Sequence, residues 1–422
     1  MFPMSGSTEF ICGSGTAASG GGPSPEGRLH GLDLLRGVAM VLGVVLHAAV
    51  PYARFDAPWL YRVPTPNPAY DLALVAIHAF RMPLFFLLAG YFAHLQQERL
   101  GASAFFRQRL LRVGVPFCVG MVTLVPWLGS MALVDPTDLL AFLKRHHIPI
   151  PQGELGPISF WSLPTYHLWF LESLLVCYAL TWMLSLLGQG RLSIPEGMDR
   201  AIEAGSRLVW PTALLAVLGL FWFFGSQPGD GVPFLQYATL HQGPQIKGMS
   251  LAFFGMGWLL HRNRTARHHL AERWRTFLII GLLSLGLLLG VRWQLWHHDM
   301  QFSATQQAAG DVSEALTAWF MSLGLFAWGI QALDRPIRWA AYFANASYWL
   351  YLIHLPLVFW IQLRFRSWQV PIAVKFLVCL GGVTAVGLLS YHILVRNTWI
   401  GWILNGRRSS RTTRSASHGT PA

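Results

Sequence analysis

The stretch LDLLRGVAMVLGVVLHAAV, residues 32–50, decides the fold, because it is long and apolar enough to cross a membrane as one helix. Arg36 and His47 interrupt it, eleven residues apart. Eleven steps of about 100° bring both side chains to nearly one face, roughly 16 Å apart along the helix axis. An ionisable group at membrane depth costs about 2.5 to 3.5 kcal/mol, and such groups are usually functional. We therefore predict that Arg36 and His47 serve one functional site. The alternative interpretation pairs Arg36 with Asp33 at the surface and leaves His47 neutral at the far interface.

The composition supports a membrane protein. Hydrophobic residues make up 53% of the chain and charged residues 12%, about half the charged fraction of a soluble domain. The net charge of +12 is explained by membrane topology and attraction to anionic lipid, so no nucleic-acid partner is expected. The four cysteines have no metal-ligand spacing, and no metal is expected.

Apolar runs predict an all-α polytopic membrane protein with about ten transmembrane helices. The predicted spans are 32–51, 71–95, 110–133, 166–188, 209–225, 246–261, 277–293, 313–333, 346–363 and 371–395. With the N-terminus inside, 21 basic residues fall on the cytoplasmic side and nine on the other, which favours cytoplasmic termini and external loops 52–70 and 134–165. Residues 29–400 form the predicted membrane domain. The tails 1–28 and 401–422 are predicted to be disordered and cytoplasmic, and the first is not expected to be a cleavable signal peptide.

Polar residues inside the spans indicate where function lies. His78 and Arg81 share a face of the second span, where Gly90 permits close helix approach. His167 begins the fourth span, and Glu172 lies deeper. A carboxylate in a span needs a partner, so we expect a Glu172–Arg81 pair, with a structural or a functional role.

Two further groups are less decisive. Tyr348, Tyr351 and His354 recur at three-residue spacing in the ninth span, where His354 is also interpretable as a packing residue. Arg109 and Arg112 share a face at the membrane entrance of the third span, which suits phosphate binding. Simple anchoring by positive charge is the alternative for these arginines.

Taken in order, the Arg36–His47 spacing, MPLFFLLAGY, RLLR, HLWFLE and SYWLYLIH resemble the acyltransferase-3 family of integral-membrane O-acyltransferases, over about residues 29–400. The resemblance implies a bacterial inner-membrane enzyme. It would transfer a succinyl or acetyl group from cytoplasmic acyl-CoA to hydroxyls of an extracytoplasmic carbohydrate, such as a periplasmic glucan. Membrane lipid and polysaccharide-synthesis proteins are the other expected partners.

On this interpretation each candidate residue has a role. Arg36, Arg109 and Arg112 would bind the coenzyme A phosphates, and His47 would be the general base. Glu172 or Arg81 would orient the reacting groups or stabilise the oxyanion. The expected substrate-binding residues are His78, His167, Tyr351 and His354. Direct transfer and an acyl-histidine intermediate both remain open.

Two other classes of protein fit parts of the pattern. A transporter or flippase for a lipid-linked or anionic solute also has about ten spans with paired charges, but the two halves of the sequence show no repeat. A membrane scaffold for polysaccharide synthesis would carry the same polar residues without using them.

Overall fold

A computed structural model describes residues 30–55, 59–134, 165–188, 244–297, 303–333 and 338–406, with isolated positions between these ranges. The regular structure in this part of the chain is entirely helical. The helices are α1 (His30–Ala49), α2 (Pro68–Leu100), α3 (Ala102–Arg109), α4 (Val115–Val134), α5 (Trp169–Leu187), α6 (Pro244–Arg262), α7 (Arg264–Glu272), α8 (Trp274–His297), α9 (Ala304–Gln331), α10 (Arg338–Phe365), α11 (Ile372–Ser390) and α12 (Trp399–Asn405). A 3-10 turn, Val50–Tyr52, follows α1, and another, Tyr166–Leu168, precedes α5.

In the part of the chain that the structure describes, seven helical segments are long and apolar enough to cross a membrane. They are His30–Tyr52, Pro68–Leu100, Ala102–Met131, Tyr166–Leu187, Trp274–Gln294, Tyr342–Phe365 and Ile372–Val395. Each coincides with a span predicted from the sequence. The prediction of an all-α, multi-pass membrane protein is therefore confirmed, while the cytoplasmic location of both termini remains a prediction.

The other predicted spans have different outcomes. Spans 246–261 and 313–333 are helical, as α6 and α9, but they are not among the seven segments, because each carries polar or charged side chains such as Lys247 and Glu314. Span 209–225 and most of the loop 134–165 lie outside the described residues. The prediction of disorder from residue 401 onward is wrong at its start. Residues 401–405 belong to α12, where Leu404 is buried.

Helix α2 is the longest of the described helices and has well-defined ends. Asn67 accepts a hydrogen bond from the Ala69 amide at 2.9 Å, and Pro68 occupies the first turn, where its missing N–H costs nothing. Gly101, with φ of +79°, separates α2 from α3. The 33 residues of α2 extend about 50 Å, so its last turns project beyond a hydrocarbon core of about 30 Å.

Two glycines allow α2 and α6 to pack closely. A Cβ on Gly90 would collide with the Phe254 carbonyl of α6, and a Cβ on Gly257 would collide with the Leu87 carbonyl of α2. Small residues at such crossings let helix backbones approach in lipid, where no hydrophobic force drives association. Gly90 therefore has the predicted role, which is to let two helices approach closely.

Helices α1 and α10 run side by side in the same direction. Near their starts, the Arg36 guanidinium donates to the Ala344 carbonyl at 3.3 Å. Near their ends, the Gln362 amide donates to the Ala48 carbonyl, also at 3.3 Å. The molecule thus has an Arg36 end and a Tyr52 end, and the middle turns of α1 and α10 face each other between them.

Candidate active site

A narrow cavity lies between α1, α2, α10 and the start of α5. Its lining residues are Met40, Gly43, His47, Arg81, Met82, Phe85, His167, Trp169, Phe170, Tyr351 and His354. The volume of about 30 Å³ is room for two or so water molecules. A substrate group therefore enters only as side chains move, and Met40 and Met82 are flexible enough to do so.

His47 projects from the last turn of α1 into this cavity. Its ring stacks on Trp59 with centroids 5.9 Å apart and planes inclined by 7°, and its centroid lies 5.1 Å from that of His354. Its Nδ1 atom is buried and has no hydrogen-bond partner among the described residues. A ring nitrogen in this state can accept or donate a proton to a bound group.

The backbone of α10 fixes the tautomer of His354. Its Nδ1 lies 2.6 Å from the Tyr351 carbonyl oxygen. Because a carbonyl oxygen only accepts, Nδ1 carries the hydrogen, and in the neutral ring Nε2 carries the lone pair. His354 therefore presents a basic nitrogen in addition to its packing role.

His167 is held in the opposite sense. Its Nε2 donates to the Leu352 carbonyl at 2.9 Å, so Nδ1 carries the lone pair, and that atom has no hydrogen-bond partner among the described residues. The His167 carbonyl in turn accepts a hydrogen bond from the Tyr351 hydroxyl at 2.6 Å. The preceding residue, Tyr166, has φ of +43°, a strained value for a non-glycine residue. Two hydrogen bonds to α10 thus hold a strained turn that positions His167.

Arg81 supplies the positive charge of the cavity. Its guanidinium packs against Gly43, where a Cβ would collide with it, and one nitrogen lies 3.4 Å from the Met82 sulfur. The buried Nε has no hydrogen-bond partner, and no carboxylate pairs with Arg81 among the described residues. A desolvated cation without a counter-ion attracts a negative or strongly polar ligand group.

The expected Glu172–Arg81 pair is wrong. The Glu172 carboxylate forms an ion pair with the Lys247 ammonium of α6 at 3.2 Å, and both side chains are about one-third exposed. Trp169 and Phe170 face the cavity at this level of α5, and Glu172 does not line it. The sequence placed an acid and a base at similar depth, but the rotation of α5 directs Glu172 to a different cation.

His78 also lies outside the cavity lining. It is half-buried on α2, one turn before Arg81. The structure therefore brings together five of the predicted site residues, His47, Arg81, His167, Tyr351 and His354, and it separates Glu172 and His78 from them.

The three predicted phosphate-binding arginines are also separate from the cavity. Arg36 pairs with Asp33 at 3.3 Å, as the alternative interpretation expected, and its side chain keeps 39% exposure. The Arg109 guanidinium lies over the Phe105 ring at 5.4 Å and the Tyr178 ring at 5.7 Å.

A row of side chains on α10 connects these arginines with the cavity. The Tyr348 hydroxyl donates to the Arg112 carbonyl at 2.7 Å. The Tyr348 and Tyr351 rings are stacked with centroids 6.4 Å apart, and the Tyr351 ring lies 6.0 Å from that of His354. The three-residue spacing seen in the sequence thus forms one face that runs from Arg112 to His354.

One group of described side chains is able to hold a metal ion. His94, Glu98 and His261 offer ligand atoms within 4.8 Å of one another. The two histidine Nδ1 atoms are 2.8 Å apart, which is a hydrogen-bond distance. This group lies at the far end of α2 and α6 and does not line the cavity.

Sequence reasoning missed the apolar part of the cavity wall and Trp59. The signal for the wall was present in α1, because Met40, Gly43 and His47 are spaced by three and four residues and share a helix face. Trp59 lies in a loop, where no periodicity marks its approach to His47.

Comparison with known proteins agrees with this architecture. The family model described as "Acyltransferase domain" matches residues 29–392. Glucans biosynthesis protein C of Salmonella paratyphi B is 25% identical over 399 residues, covering 91% of this chain and 96% of that protein. The protein of the same name from Salmonella heidelberg is 25% identical over 396 residues, with the same coverage. The chain therefore belongs to the acyltransferase-3 family, as its motifs predicted.

Proposed function

We propose that this protein transfers a succinyl or acetyl group from cytoplasmic acyl-CoA to a hydroxyl of an extracytoplasmic carbohydrate, with His47 as the general base. The observation that carries the proposal is a cavity in a member of an acyltransferase family, where three histidines meet an arginine that has no carboxylate partner among the described residues. The relatives named glucans biosynthesis protein C point to a glucan as the acceptor. The bacterial inner membrane is the location this assignment requires.

In the proposed reaction, His47 carries the transferred proton and Arg81 stabilises the developing charge. His47 removes the proton from the acceptor hydroxyl, and the oxygen attacks the thioester carbonyl carbon. The Arg81 guanidinium stabilises the negative charge that develops on the carbonyl oxygen. When the carbon–sulfur bond breaks, the imidazolium returns its proton to the coenzyme A thiolate. His354 and His167 orient the acceptor through the ring nitrogens that their backbone hydrogen bonds leave available.

The donor would arrive from the Arg36 end. Arg36, Arg109 and Arg112 lie at or near that end, and guanidinium groups suit the phosphates of coenzyme A. The row formed by Tyr348, Tyr351 and His354 offers a path along α10 for the slender pantetheine arm.

No metal or further cofactor is part of the proposal. The acyltransferase family favours this function over solute transport.

The decisive test incubates the purified protein with radiolabelled succinyl-CoA or acetyl-CoA and a glucan. Label should appear on the glucan, and base-labile release should show an ester. The control for removing a histidine is His268→Ala, because His268 is exposed on α7, pairs with Glu272 and does not line the cavity. The proposal is supported if the control variant transfers label to the glucan and membranes without the protein do not. Absence of transfer to any carbohydrate by the wild type contradicts it.

The side of the membrane can be tested separately. The proposal places the loop 134–165 outside the cytoplasm, as the count of basic residues predicts. A single cysteine introduced in this loop should react with an impermeant thiol reagent in intact cells. A cysteine introduced in the C-terminal tail should react only after lysis. The reverse labelling pattern would invert the topology and contradict a cytoplasmic donor with an extracytoplasmic acceptor.

A further inference from the structure

A second, larger concavity opens at the Tyr52 end of the molecule. It has a volume of about 510 Å³, which is within the usual range of ligand pockets. The loop after α1, the turn between α10 and α11, and Asp138 form its walls. Its chemically distinctive lining residues are Tyr61, Arg62, Asp138, Arg366, Trp368 and Lys375.

The polar groups of this groove are preorganised. The buried Lys375 ammonium donates to the Tyr61 hydroxyl at 3.1 Å and to the Arg366 carbonyl at 2.9 Å. The Arg62 amide donates to the Asp138 carboxylate at 3.0 Å. These bonds tie three separate segments into one rigid wall, which reduces the entropy that a ligand must lose on binding.

The groove also offers an exposed aromatic surface. Trp368 is 46% exposed and lies against Phe365, with ring centroids 4.1 Å apart. An indole that is packed on one side and open on the other presents an apolar face with a polar edge. Flat aromatic faces beside charged hydrogen-bonding groups suit a sugar ring, which has apolar C–H faces and a polar hydroxyl rim.

The position of the groove relates it to the cavity. Because α1 and α10 run in the same direction, His47 and His354 lie between the Arg36 end and the groove. Trp59 contacts one side of the cavity, since its ring stacks on His47 and its Nε1 donates to Gln362 at 2.8 Å, and Tyr61 of the groove wall follows two residues later in the same loop. Arg366 directly follows the last residue of α10, so the helical rise places it about 18 Å from His354, a distance that several linked sugar units span.

We propose that this groove is a binding subsite for a carbohydrate chain, which it holds at a point several sugar units away from the hydroxyl that is acylated. The inference rests on the proposed function, and it adds the site by which an oligomeric acceptor is recognised. A polymeric acceptor would therefore bind more tightly than a monosaccharide with the same reactive hydroxyl.

The test measures binding and turnover separately. Binding of a β-linked glucose hexasaccharide to the wild type, Trp368→Ala and Trp360→Ala is measured by calorimetry in nanodiscs. Trp360 is a matched control, because it is 49% exposed on α10 and does not line the groove. We expect Trp368→Ala to weaken hexasaccharide binding and raise the acceptor KM by roughly 5- to 20-fold, with kcat and the donor KM unchanged. Trp360→Ala should match the wild type.

The possible outcomes separate the two proposals. Hexasaccharide binding that depends on Trp368 in a protein that transfers no acyl group would support the groove and contradict the proposed function. Acyl transfer with equal acceptor KM for Trp368→Ala and Trp360→Ala would contradict the groove alone. Loss of hexasaccharide binding on adding phosphatidylglycerol to the nanodiscs would identify the groove as a lipid site and overturn the inference.

Discussion

Two histidine clusters in this molecule look alike in composition and differ in what they leave available. In the cavity, the ring of His354 lies 5.1 Å from those of both His47 and His167. At the far end of α2, the rings of His94 and His261 are 4.9 Å apart. Ring proximity alone does not distinguish the clusters.

The hydrogen bonds do distinguish them. His94 and His261 direct their Nδ1 atoms at each other, and Glu98 lies within 3.5 to 3.7 Å of both. His354 and His167 instead bond backbone carbonyls, so each leaves one ring nitrogen for another partner. The difference is one of placement: His354 and His167 are held by backbone carbonyls beside a cavity that a ligand group can enter, whereas His94 and His261 hydrogen-bond each other and do not line that cavity.

The largest expected effect tests this difference directly. His47→Ala should lower acyl transfer by about 10²- to 10⁴-fold, because the group that accepts the hydroxyl proton is lost. His94→Ala, a buried histidine of the other cluster, should keep turnover within about threefold of the wild type. Initial rates with radiolabelled donor measure both, and calorimetry checks that His47→Ala still binds the donor. Near-normal turnover of His47→Ala would remove His47 from the mechanism.

The next effect concerns the charge in the cavity. Arg81→Gln should lower kcat by about 10²- to 10³-fold with little change in donor KM, because the positive charge acts on the developing oxyanion and not on the bound thioester. Arg81→Lys should restore part of the rate. Arg275→Gln removes an exposed arginine from α8 and serves as the matched control. A rise in donor KM with unchanged kcat would make Arg81 a donor-binding residue instead.

Helix periodicity explains how much of this site the sequence predicted. The spacing of Arg36 and His47, and that of Tyr348, Tyr351 and His354, lies within single helices, where 3.6 residues per turn determine the shared face. In the structure, Arg36 and His47 both face α10, and Tyr348, Tyr351 and His354 lie on one face of α10. The same periodicity predicted helices at the seven apolar segments, because hydrophobic length is a local property of the chain.

Relations between helices were harder to predict. The Glu172–Arg81 pair failed because it depends on the rotation of α5 against α2 and α6, which composition does not determine. The approach of Trp59 to His47 depends on a loop that turns back over α1. The groove at the Tyr52 end combines residues from three distant segments of the sequence, so no single motif marks it.

A smaller effect is expected at the donor end. Replacing Arg109 and Arg112 together by Gln should raise the donor KM about tenfold, because charge-assisted contacts with phosphate are lost while the cavity remains intact. The kcat should change little. The double substitution of Arg273 and Arg275 by Gln removes the same charge from the turn between α7 and α8 and from the start of α8, and it controls for membrane anchoring. Equal donor KM values for the two double variants would reduce Arg109 and Arg112 to topology anchors.

The smallest effect is expected at Glu172, the residue that the structure separates from the cavity. Glu172→Gln should leave kcat and both KM values within about threefold of the wild type, because its partner is Lys247 and its carboxylate does not line the site. The lost ion pair is about one-third exposed, so it should lower the free energy of unfolding by no more than about 1 kcal/mol. Lys247→Met should give the same small change, and the double variant should add nothing further, as for any pair that interacts only with each other. Turnover and thermal unfolding in detergent measure these effects. A loss of turnover comparable to that of His47→Ala would show that Glu172 reaches the reacting groups and that the site extends beyond the cavity lining.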